Sequence, residues 1–437
     1  MPASQHQGLS LPHHKLQTRE QAISVAPTSE YMVLPLTQHG SVELIPVVAM
    51  GDSVRMGQIV ARPAEPLGAS LHSPVSGSVI AIGPRSSAKP ASTAAMSIVL
   101  RNDYHDLLAT QSADLLEWST LPSLTLCKQL ALGGIVGLGG AAFPLAIKAA
   151  AHIHHGIEQL IINGAECEPF ITCDDRLMRE QAATILQGTQ MLLHATQAAR
   201  ASIAIEADKP EAIAAMQGAA QALNDARIDI RVIASTYPSG DEAQLIRQIS
   251  DKEIPQGKLP ADIGVIVSNV STVYACARWV MHAEPLITRV VTVSGNGVST
   301  PGNYVTRIGT SMHDLLQHCG ADLAEGNAFI MGGAMMGQAL AHTDYPIIKA
   351  SNCLIVSNHT EIKPAAIEHA CIRCGECAYA CPVHLLPQQL LVQVRHGNVT
   401  ALNQLGLQDC IECGSCDYVC PSHIRLASRF HEAKQLI

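Results

Sequence analysis

The chain has 437 residues and a mass of 46.3 kDa, more than one ordinary hydrophobic core accommodates, which predicts several domains. Its 37 acidic and 28 basic residues give a net charge of -9, so the basic surface that binds nucleic acid is absent and we expect no nucleic-acid partner. Hydrophobic residues make up 47% of the chain but aromatic residues only 3%, which is typical of α/β layers built from Ala, Leu, Ile and Val.

The first residues, MPASQHQGLSLPHHK, lack the basic start, apolar centre and cleavage site of a secretory signal. We therefore expect the chain to remain in the cytoplasm. In that compartment its fourteen cysteines stay reduced and available to metals.

The N-terminal segment, residues 1–115, contains short β-like runs separated by turns between about residues 41 and 83. The runs are VELIPVV, GDSVRMGQIVARP and LHSPVSGSVIAIG. Their order resembles the barrel-sandwich β module of biotinyl and lipoyl carrier domains. A carrier needs a lysine at its hairpin tip, and the connecting stretch RPAEPLGAS has none. The sequence therefore predicts a structural β module without a swinging arm.

Residues 116–284 alternate predicted strands with amphipathic helices. The strands are EQLIINGAE, ASIAIEA, IDIRVIAS and IGVIVSN, and the helices include RLMREQAATILQGTQMLLHATQAA and STVYACARWVMH. This alternation predicts a parallel sheet with helices on its faces. Residues 285–360 then combine RVVTVSG, a Pro-Gly turn, YVTRIG and the helical MHDLLQHCG, which indicates a small β-grasp module.

Residues 361–437 carry most of the cysteines. The runs CIRCGECAYACP (371–382) and CIECGSCDYVCP (410–421) both match the spacing C-x2-C-x2-C-x3-C-P of two-cluster ferredoxins. Zinc is the alternative, because C-x2-C pairs also hold zinc, but two matched runs that each end in Cys-Pro favour [4Fe–4S] clusters. The connecting LLPQQLLVQVRHGNVTALNQLG has a helical pattern, which predicts a helical ferredoxin domain.

In this spacing the fourth cysteine of each run reaches the other cluster. We therefore predict the ligands of the first cluster as Cys371, Cys374, Cys377 and Cys420, and those of the second as Cys410, Cys413, Cys416 and Cys381. The remaining cysteines have no such spacing and are interpreted mostly as buried thiols: Cys127, Cys167, Cys173, Cys276, Cys319 and Cys353.

A glycine-rich run, GGIVGLGGAAFP, spans residues 133–144. A membrane span is disfavoured because glycines and Pro144 interrupt it. The run fits the dinucleotide fingerprint G-x-G-x-x-G/A, but that fingerprint follows a strand, and the preceding SLTLCKQLAL has a helical pattern. The remaining interpretation is a phosphate-binding backbone loop before a helix that begins near Pro144, with Lys148 adding charge.

Six segments and the two cysteine runs, in the same order, resemble the RnfC (RsxC) family of Rnf electron-transport complexes. The segments are VGLGGAAFPLAIK, IINGAECEPFITCDDRLMRE, YPSGDEAQLI, VIVSNVSTVYA, PGNYVTRIGT and MGGAMMG. The resemblance implies a peripheral subunit on the cytoplasmic side of the inner membrane. Its partners would be integral membrane and ferredoxin-like subunits that couple electron transfer to ion translocation. It also implies that the β-grasp module is of the SLBB type.

Residues 116–284 are similar to the flavin subunit of respiratory complex I, which implies a Rossmann-like domain that binds FMN and NAD(H). The similarity places Gly137, Gly139 and Lys148, with Gly140 in the same loop, at the FMN phosphate. It places Asn163 and the candidate catalytic residues Glu166 and Glu168 along the flavin and nicotinamide, and Gly240, Glu242, Asn269 and Thr272 around the rest of the pocket.

Other interpretations stay open for several of these residues. Glu166 and Glu168 also fit solvated loop charges, and Asn269 and Thr272 also fit a helix N-cap. The sequence departs from the family pattern at Ala142, Ala165 and Asp241.

Two alternative functions remain. One is a soluble cobalamin reductase with the same domain order. The other, suggested by Ala142 and Asp241, is an electron-wire adaptor that keeps the clusters but binds no flavin.

Overall fold

A computed structural model describes residues 8–40, 42–87, 94–110, 117–324, 327–358, 361 and 366–436. Its strands and helices form four units in the order that the sequence predicts: a β-sandwich, an α/β unit, a second β unit and a helical C-terminal unit. Within those ranges, none of the helices combines the length and the apolar composition needed to cross a bilayer.

The N-terminal unit is a sandwich of two small sheets. Its strands are β2 (Tyr31–Pro35), β3 (Leu44–Pro46), β4 (Ser53–Val54), β5 (Ile59–Pro63), β6 (Leu71–His72), β7 (Gly77–Arg85) and β8 (Ala95–Asn102). Strand β1 (Ser24–Val25) precedes them in the chain but belongs to neither sheet. One sheet has the order β2-β8-β7-β4 and the other β3-β5-β6. Strands β2 and β8 lie outside residues 41–83, yet their fully buried Met32, Leu34, Ile98 and Leu100 form much of the core.

The α/β unit has the predicted parallel sheet. Its elements are α1 (Ser123–Leu132), α2 (Leu145–Ala149), β9 (Gln159–Gly164), α3 (Cys173–Thr196), β10 (Arg200–Glu206), α4 (Pro210–Leu223), β11 (Ile228–Ile233), α5 (Glu242–Ser250), β12 (Val265–Asn269) and α6 (Val270–His282). The strand order is β11-β10-β9-β12, all parallel. Because α1 is helical, the glycine-rich run does not follow a strand, and the dinucleotide fingerprint lacks its usual context.

Helices α3 and α6 pack unusually closely on one face of this sheet. A Cβ atom on Gly188 of α3 would lie 2.3 Å from the carbonyl oxygen of Val273 in α6, so only glycine permits this approach. Helix α6 begins directly after β12. Its first turn lies beside the glycine-rich run, because the Thr272 hydroxyl accepts a hydrogen bond from the Leu138 N–H.

The second β unit contains β13 (Thr288–Ser294), β14 (Gly302–Arg307), α7 (Met312–His318), β15 (Ala328–Met331), β16 (Gln338–Leu340) and β17 (Cys353–Ser357). Its sheet has the order β1-β14-β13-β17-β15-β16. Strand β1 comes from the N-terminal segment, because Ser24 and Val25 pair with Tyr304 and Val305. The sheet therefore takes one strand from outside residues 285–360.

The C-terminal unit is helical, as its sequence predicts. It contains α8 (Glu376–Tyr379), α9 (Pro387–His396), α10 (Val399–Gln404), α11 (Ser415–Tyr418) and α12 (Leu426–Lys434), and residues 366–436 include no strand. Its small core is formed by Leu390, Leu391, Leu402, Leu407 and Phe430.

Replacing Gly188 with alanine tests the close packing of α3 against α6. The added methyl group meets the Val273 carbonyl, so we expect Gly188→Ala to destabilise the fold by about 1–3 kcal/mol. Gly218 in α4 is the matched control, because a Cβ atom there meets nothing within 4 Å. Gly218→Ala should stabilise the fold by about 0.5–1 kcal/mol. Thermal unfolding midpoints compare the two variants, and equal shifts would contradict the proposed packing constraint.

Candidate functional site

Four segments meet at the carboxyl edge of the parallel sheet, which is where open α/β sheets bind ligands. Strand β9 ends at Gly164 and leads into residues 165–169, β12 ends at Asn269, and residues 237–241 precede α5. The glycine-rich run packs beside them, because a Cβ atom on Gly139 would lie 3.5 Å from the Cβ of Asn269. The structure thus brings together the segments in which the sequence predicts cofactor-binding residues.

Residues 137–143, here called the glycine loop, form a tight backbone turn. The Gly137 N–H donates to the Phe143 carbonyl at 2.8 Å, and the Ala142 N–H donates to the Gly137 carbonyl at 3.1 Å. The Leu138 N–H donates to the Thr272 hydroxyl at 2.8 Å. The turn requires positive φ angles of 115° at Gly140 and 51° at Ala142. Ala142 thus adopts the left-handed conformation in which glycine is more usual.

The tip of the glycine loop has the features of an anion cradle. Within the described part of the chain, the backbone N–H groups of Gly139, Gly140 and Ala141 donate to no protein acceptor, and all three residues are exposed. A Cβ atom on Gly140 would meet nothing within 4 Å, so space is available beside them. Consecutive unpaired N–H groups bind phosphate oxygens. The loop therefore fits the phosphate of FMN.

Lys148 and Glu242, both predicted in the cofactor pocket, bind each other. The Lys148 ammonium lies 2.7 Å from Glu242 Oε1 and donates to the Val267 carbonyl at 2.9 Å. Helix α2 has only five residues, and Lys148 links it to the start of α5.

Asn163 joins two of the site segments. Its Nδ2 donates to the Gly240 carbonyl at 2.8 Å, and its Oδ1 accepts from the Ala165 N–H at 3.0 Å. A Cβ atom on Gly240 would lie 3.3 Å from the Cβ of Ala165 and 3.4 Å from the Cys167 Sγ. Ala165, one of the departures from the family pattern, therefore packs against Gly240.

Glu166 binds the start of helix α3. Its carboxylate accepts from the Asp174 N–H at 2.7 Å and the Asp175 N–H at 3.2 Å. Burial raises the pKa of Glu166 to about 7, against a smaller opposing effect of Lys15. Glu166, Cys173 and Asp174 bring three potential metal-ligand atoms within 4.8 Å of one another. The carboxylates already accept hydrogen bonds, however, since Asp174 accepts from Asn269 Nδ2 at 2.6 Å and from the Ser271 hydroxyl at 2.5 Å.

Glu168 connects the site to the second β unit. Its carboxylate oxygens accept from the N–H groups of Met335 at 3.0 Å and Met336 at 2.9 Å. Burial raises its pKa, and these two hydrogen bonds act in the opposite direction. A Cβ atom on Gly333 would lie 2.3 Å from the Glu168 carboxyl carbon, so the fit is tight. Glu166 and Glu168 are thus held by backbone donors and do not match the description of solvated loop charges.

Asn269 and Asp241 cap helices. Asn269 Oδ1 accepts from the Ser271 N–H at 2.9 Å at the start of α6, as the N-cap interpretation expects, whereas Thr272 holds the glycine loop. Asp241 accepts from the N–H groups of Ala243 and Gln244 at 3.1 Å each. This cap gives a structural reason for an aspartate where the family pattern has glycine.

The cysteines of the two runs gather around two small cavities in the C-terminal unit. Cys371, Cys374, Cys377 and Cys420 line the first cavity, and Cys381, Cys410, Cys413 and Cys416 line the second. These groups match the two predicted ligand sets, and all eight are free thiols. Four convergent thiolates suit a [4Fe–4S] cluster.

The second cavity adjoins the α/β unit. Among the described residues, three hydrogen bonds run from the α/β unit to the C-terminal unit, and they end at Pro382, Asp409 and Cys413. The Tyr237 hydroxyl makes the last of these bonds, at 2.6 Å to the Cys413 carbonyl. In the first set, by contrast, Cys371 and Cys374 are exposed.

Two buried basic side chains that the sequence reasoning missed reach the glycine-rich run. Arg289 of β13 donates to the Leu138 carbonyl at 2.6 Å, and Lys349 donates to the Gly134 carbonyl at 2.7 Å. The sequence offered one signal for each residue: Arg289 begins the apolar run RVVTVSG, and Lys349 lies within YPIIKASN. A charged residue that is buried with such a run needs polar partners.

Four family descriptions match parts of this chain. They are the RnfC barrel sandwich hybrid domain over residues 3–105, the Nuo51 FMN-binding domain over 131–278, the SLBB domain over 290–339 and the 4Fe-4S dicluster domain over 368–424. The matches confirm the four predicted kinds of domain. The FMN-binding match spans the glycine loop, and the dicluster match spans both cysteine runs.

A solved structure supports the fold. One chain of an NAD+-reducing [NiFe]-hydrogenase superposes with a TM-score of 0.51 at 18% identity. The superposition covers 73% of this chain and 61% of that chain.

Several relatives are named as the C subunits of ion-translocating oxidoreductase complexes. The Pectobacterium carotovorum relative is 43% identical over 88% of this chain and 51% of its own length, and the Pasteurella multocida relative is 40% identical over 98% and 51%. The chain thus spans about half the length of these two relatives. The Rhodobacter capsulatus relative is 38% identical over 90% of this chain and 75% of its own length. The chain therefore belongs to the family of ion-translocating oxidoreductase complex C subunits.

Proposed function

We propose that the chain is an NADH-linked redox subunit that transfers electrons between NAD(H) and partner subunits through FMN and two [4Fe–4S] clusters. The observation that carries the proposal is the position of the second cysteine set. It contacts the α/β unit through Tyr237, and this residue belongs to the same segment as Gly240 at the edge of the FMN-binding domain.

The residues of the α/β unit would bind and orient FMN. The free N–H groups of Gly139, Gly140 and Ala141 receive the phosphate, and Asn163 holds the wall of the pocket together. When bound, FMN would accept the two electrons of a hydride from a nicotinamide and release them one at a time, or the reverse. Glu166 and Glu168 shape the neighbouring wall, because both carboxylates are tied to backbone N–H groups.

The two cysteine sets have different places in the proposed electron route. The second set is the inner one, since Tyr237, Gln244 and Gln256 of the α/β unit bind residues within or beside it. The first set is the outer one, since Cys371 and Cys374 are exposed. Electrons would thus pass between the flavin and a partner protein through the second cluster and then the first.

We further propose that the chain is peripheral to the inner membrane, on the cytoplasmic side. Integral membrane and ferredoxin-like subunits of the same complex would be its partners, and those subunits would couple electron transfer to ion movement. The shared name of the relatives, which describes a component of an ion-translocating complex, supports this assignment.

The two alternative functions receive less support. The adaptor without flavin was suggested by Ala142 and Asp241, but Asp241 caps α5 and the loop beside Ala142 keeps its N–H groups free. The cobalamin reductase alternative lacks support from the relatives described above, which share the name of the ion-translocating complex.

Substituting Gly140 tests the phosphate cradle. A φ of 115° is unfavourable for alanine, so Gly140→Ala should change the backbone conformation of the loop and the direction of its N–H groups. We expect FMN binding to weaken by about tenfold or more. Gly257→Ala is the matched control, because Gly257 also has a positive φ, of 72°, and open space around it. Flavin content and NADH-dependent bleaching measure the effect. Wild-type flavin content in Gly140→Ala would refute the cradle.

Removing one ligand from each cysteine set tests the electron route. Cys413→Ser and Cys371→Ser should each lower the iron content by about half. With NADH as the reductant, we expect the remaining cluster to be reduced in Cys371→Ser but not in Cys413→Ser. Dithionite should reduce the remaining cluster in both variants, which shows that it is intact. Electron paramagnetic resonance distinguishes the outcomes, and NADH reduction of the remaining cluster in Cys413→Ser would overturn the proposed order.

The raised pKa of Glu166 predicts a pH-dependent stability. Its folded pKa of about 7 lies above the ordinary value of 4.5, so its contribution to stability is complete below pH 4.5 and is lost as the pH rises through 7. Glu166→Gln, which does not titrate, should remove this part of the pH dependence. Unfolding midpoints of the wild type and the variant at pH 5 and pH 8 provide the test. An unchanged difference between the two pH values would contradict the assigned pKa.

A further inference from the structure

The buried side chain of Arg289 holds the glycine loop from the side of the second β unit. Arg289 is 4% exposed, and its Nη2 donates to the Leu138 carbonyl at 2.6 Å. Its Nη1 donates to the Lys349 carbonyl at 2.8 Å. The guanidinium thus links the glycine loop to the segment that follows β16.

Lys349 extends this connection to the sandwich. Its Nζ donates to the Gly134 carbonyl at 2.7 Å and to the Ser70 carbonyl at 3.2 Å. Through Arg289 and Lys349, the N-terminal sandwich, the α/β unit and the second β unit all meet behind the glycine loop. The loop therefore depends on two other domains for its shape.

The bond from Arg289 fixes the direction of one proposed phosphate donor. The Leu138 carbonyl and the Gly139 N–H belong to the same peptide unit, and in a planar trans peptide they point in opposite directions. Because Arg289 holds the carbonyl inside the protein, the Gly139 N–H points away from Arg289 toward the exposed tip of the loop. A charged donor on the carbonyl also polarises the peptide and makes its N–H a stronger donor.

The charge of Arg289 is not neutralised by a direct ion pair. Within the described ranges, Arg289 and Lys349 donate to backbone carbonyls and no carboxylate lies within ion-pair distance of either. Burial lowers the pKa of Arg289 more than the nearby Cys173 and Asp174 raise it. Burial lowers the pKa of Lys349 far below its ordinary value, whereas a guanidinium stays protonated in proteins. Arg289 is therefore the lasting positive charge behind the loop.

We propose that Arg289 is a positioning residue that makes the flavin site selective for a phosphorylated flavin, by aiming the Gly139 N–H at the phosphate and by adding an unpaired positive charge behind it. This inference rests on the proposed function, since it assigns a role within the same FMN site. It concerns the phosphate end of the ligand alone. The isoalloxazine ring should be bound equally well with or without the charge.

Binding of FMN and of riboflavin, which lacks the phosphate, separates this role from a general structural one. The protein is the full chain with its clusters reconstituted and its flavin removed, and the dissociation constants come from fluorescence quenching. Arg289→Gln keeps an N–H donor but loses the charge. We expect its FMN dissociation constant to rise about tenfold while that of riboflavin changes less than about twofold.

Three further variants serve as comparisons. Arg289→Lys keeps the charge and should preserve the ratio of FMN to riboflavin affinity, even if both affinities fall. Thr272→Val removes the acceptor of the Leu138 N–H without a change of charge, so it should lower FMN affinity less than Arg289→Gln does and leave riboflavin affinity near that of the wild type. Arg278→Gln is the control for a nearby arginine, because Arg278 forms an exposed ion pair with Glu284. It should bind both flavins as the wild type does.

Each outcome decides one question. An equal loss of FMN and riboflavin binding in Arg289→Gln, or no loss, overturns the role of Arg289. If Arg289→Gln does not fold, a fall in the FMN to riboflavin ratio of Arg289→Lys overturns it. A wild-type chain that binds FMN and riboflavin equally also overturns it but leaves the flavin site standing. A wild-type chain that binds neither flavin refutes the proposed function itself.

Discussion

Within the described residues, the tip of the glycine loop leaves three consecutive N–H groups without a protein partner, while the N–H groups of Gly137, Leu138 and Ala142 beside them are bound. Unpaired N–H groups cost free energy where water is excluded, so they are kept at the exposed tip, where a ligand or water reaches them. The bonds to Thr272 and Arg289 hold the buried side of the loop. The surrounding domains are arranged around this requirement, since Arg289 and Lys349 both come from outside the α/β unit.

The acidic residues of the site show how charge is used for positioning. Glu166 receives the first N–H groups of α3, Asp241 those of α5, and Glu168 two N–H groups of the second β unit. A carboxylate at a helix start satisfies donors that have no partner within the helix and also interacts favourably with the helix dipole. These side chains therefore define the walls of the pocket, and in the proposed site the phosphate is left to the backbone.

The junction between the α/β unit and the C-terminal unit is small and partly apolar. Tyr237, Leu11, Cys167, Met335 and Cys413 form a buried or half-buried cluster there. Such packing excludes water between the flavin domain and the second cysteine set, and a low dielectric around a cluster influences its reduction potential. The same junction also involves Glu168, which anchors the backbone of Met335. Glu168 therefore stabilises both the wall of the pocket and the junction with the second cysteine set.

The sequence by itself determined the features that depend on local spacing. In each cysteine run the close spacing brings three thiols to one cavity, and the fourth thiol of that cavity comes from the other run. The periodicity of residues 116–284 was sufficient to predict the parallel sheet. Only the tertiary structure decided which polar groups meet across domains. Arg289 lies 151 residues from Leu138, and Glu168 lies 167 residues from Met335. No periodicity records such pairs, because long-range packing alone selects them.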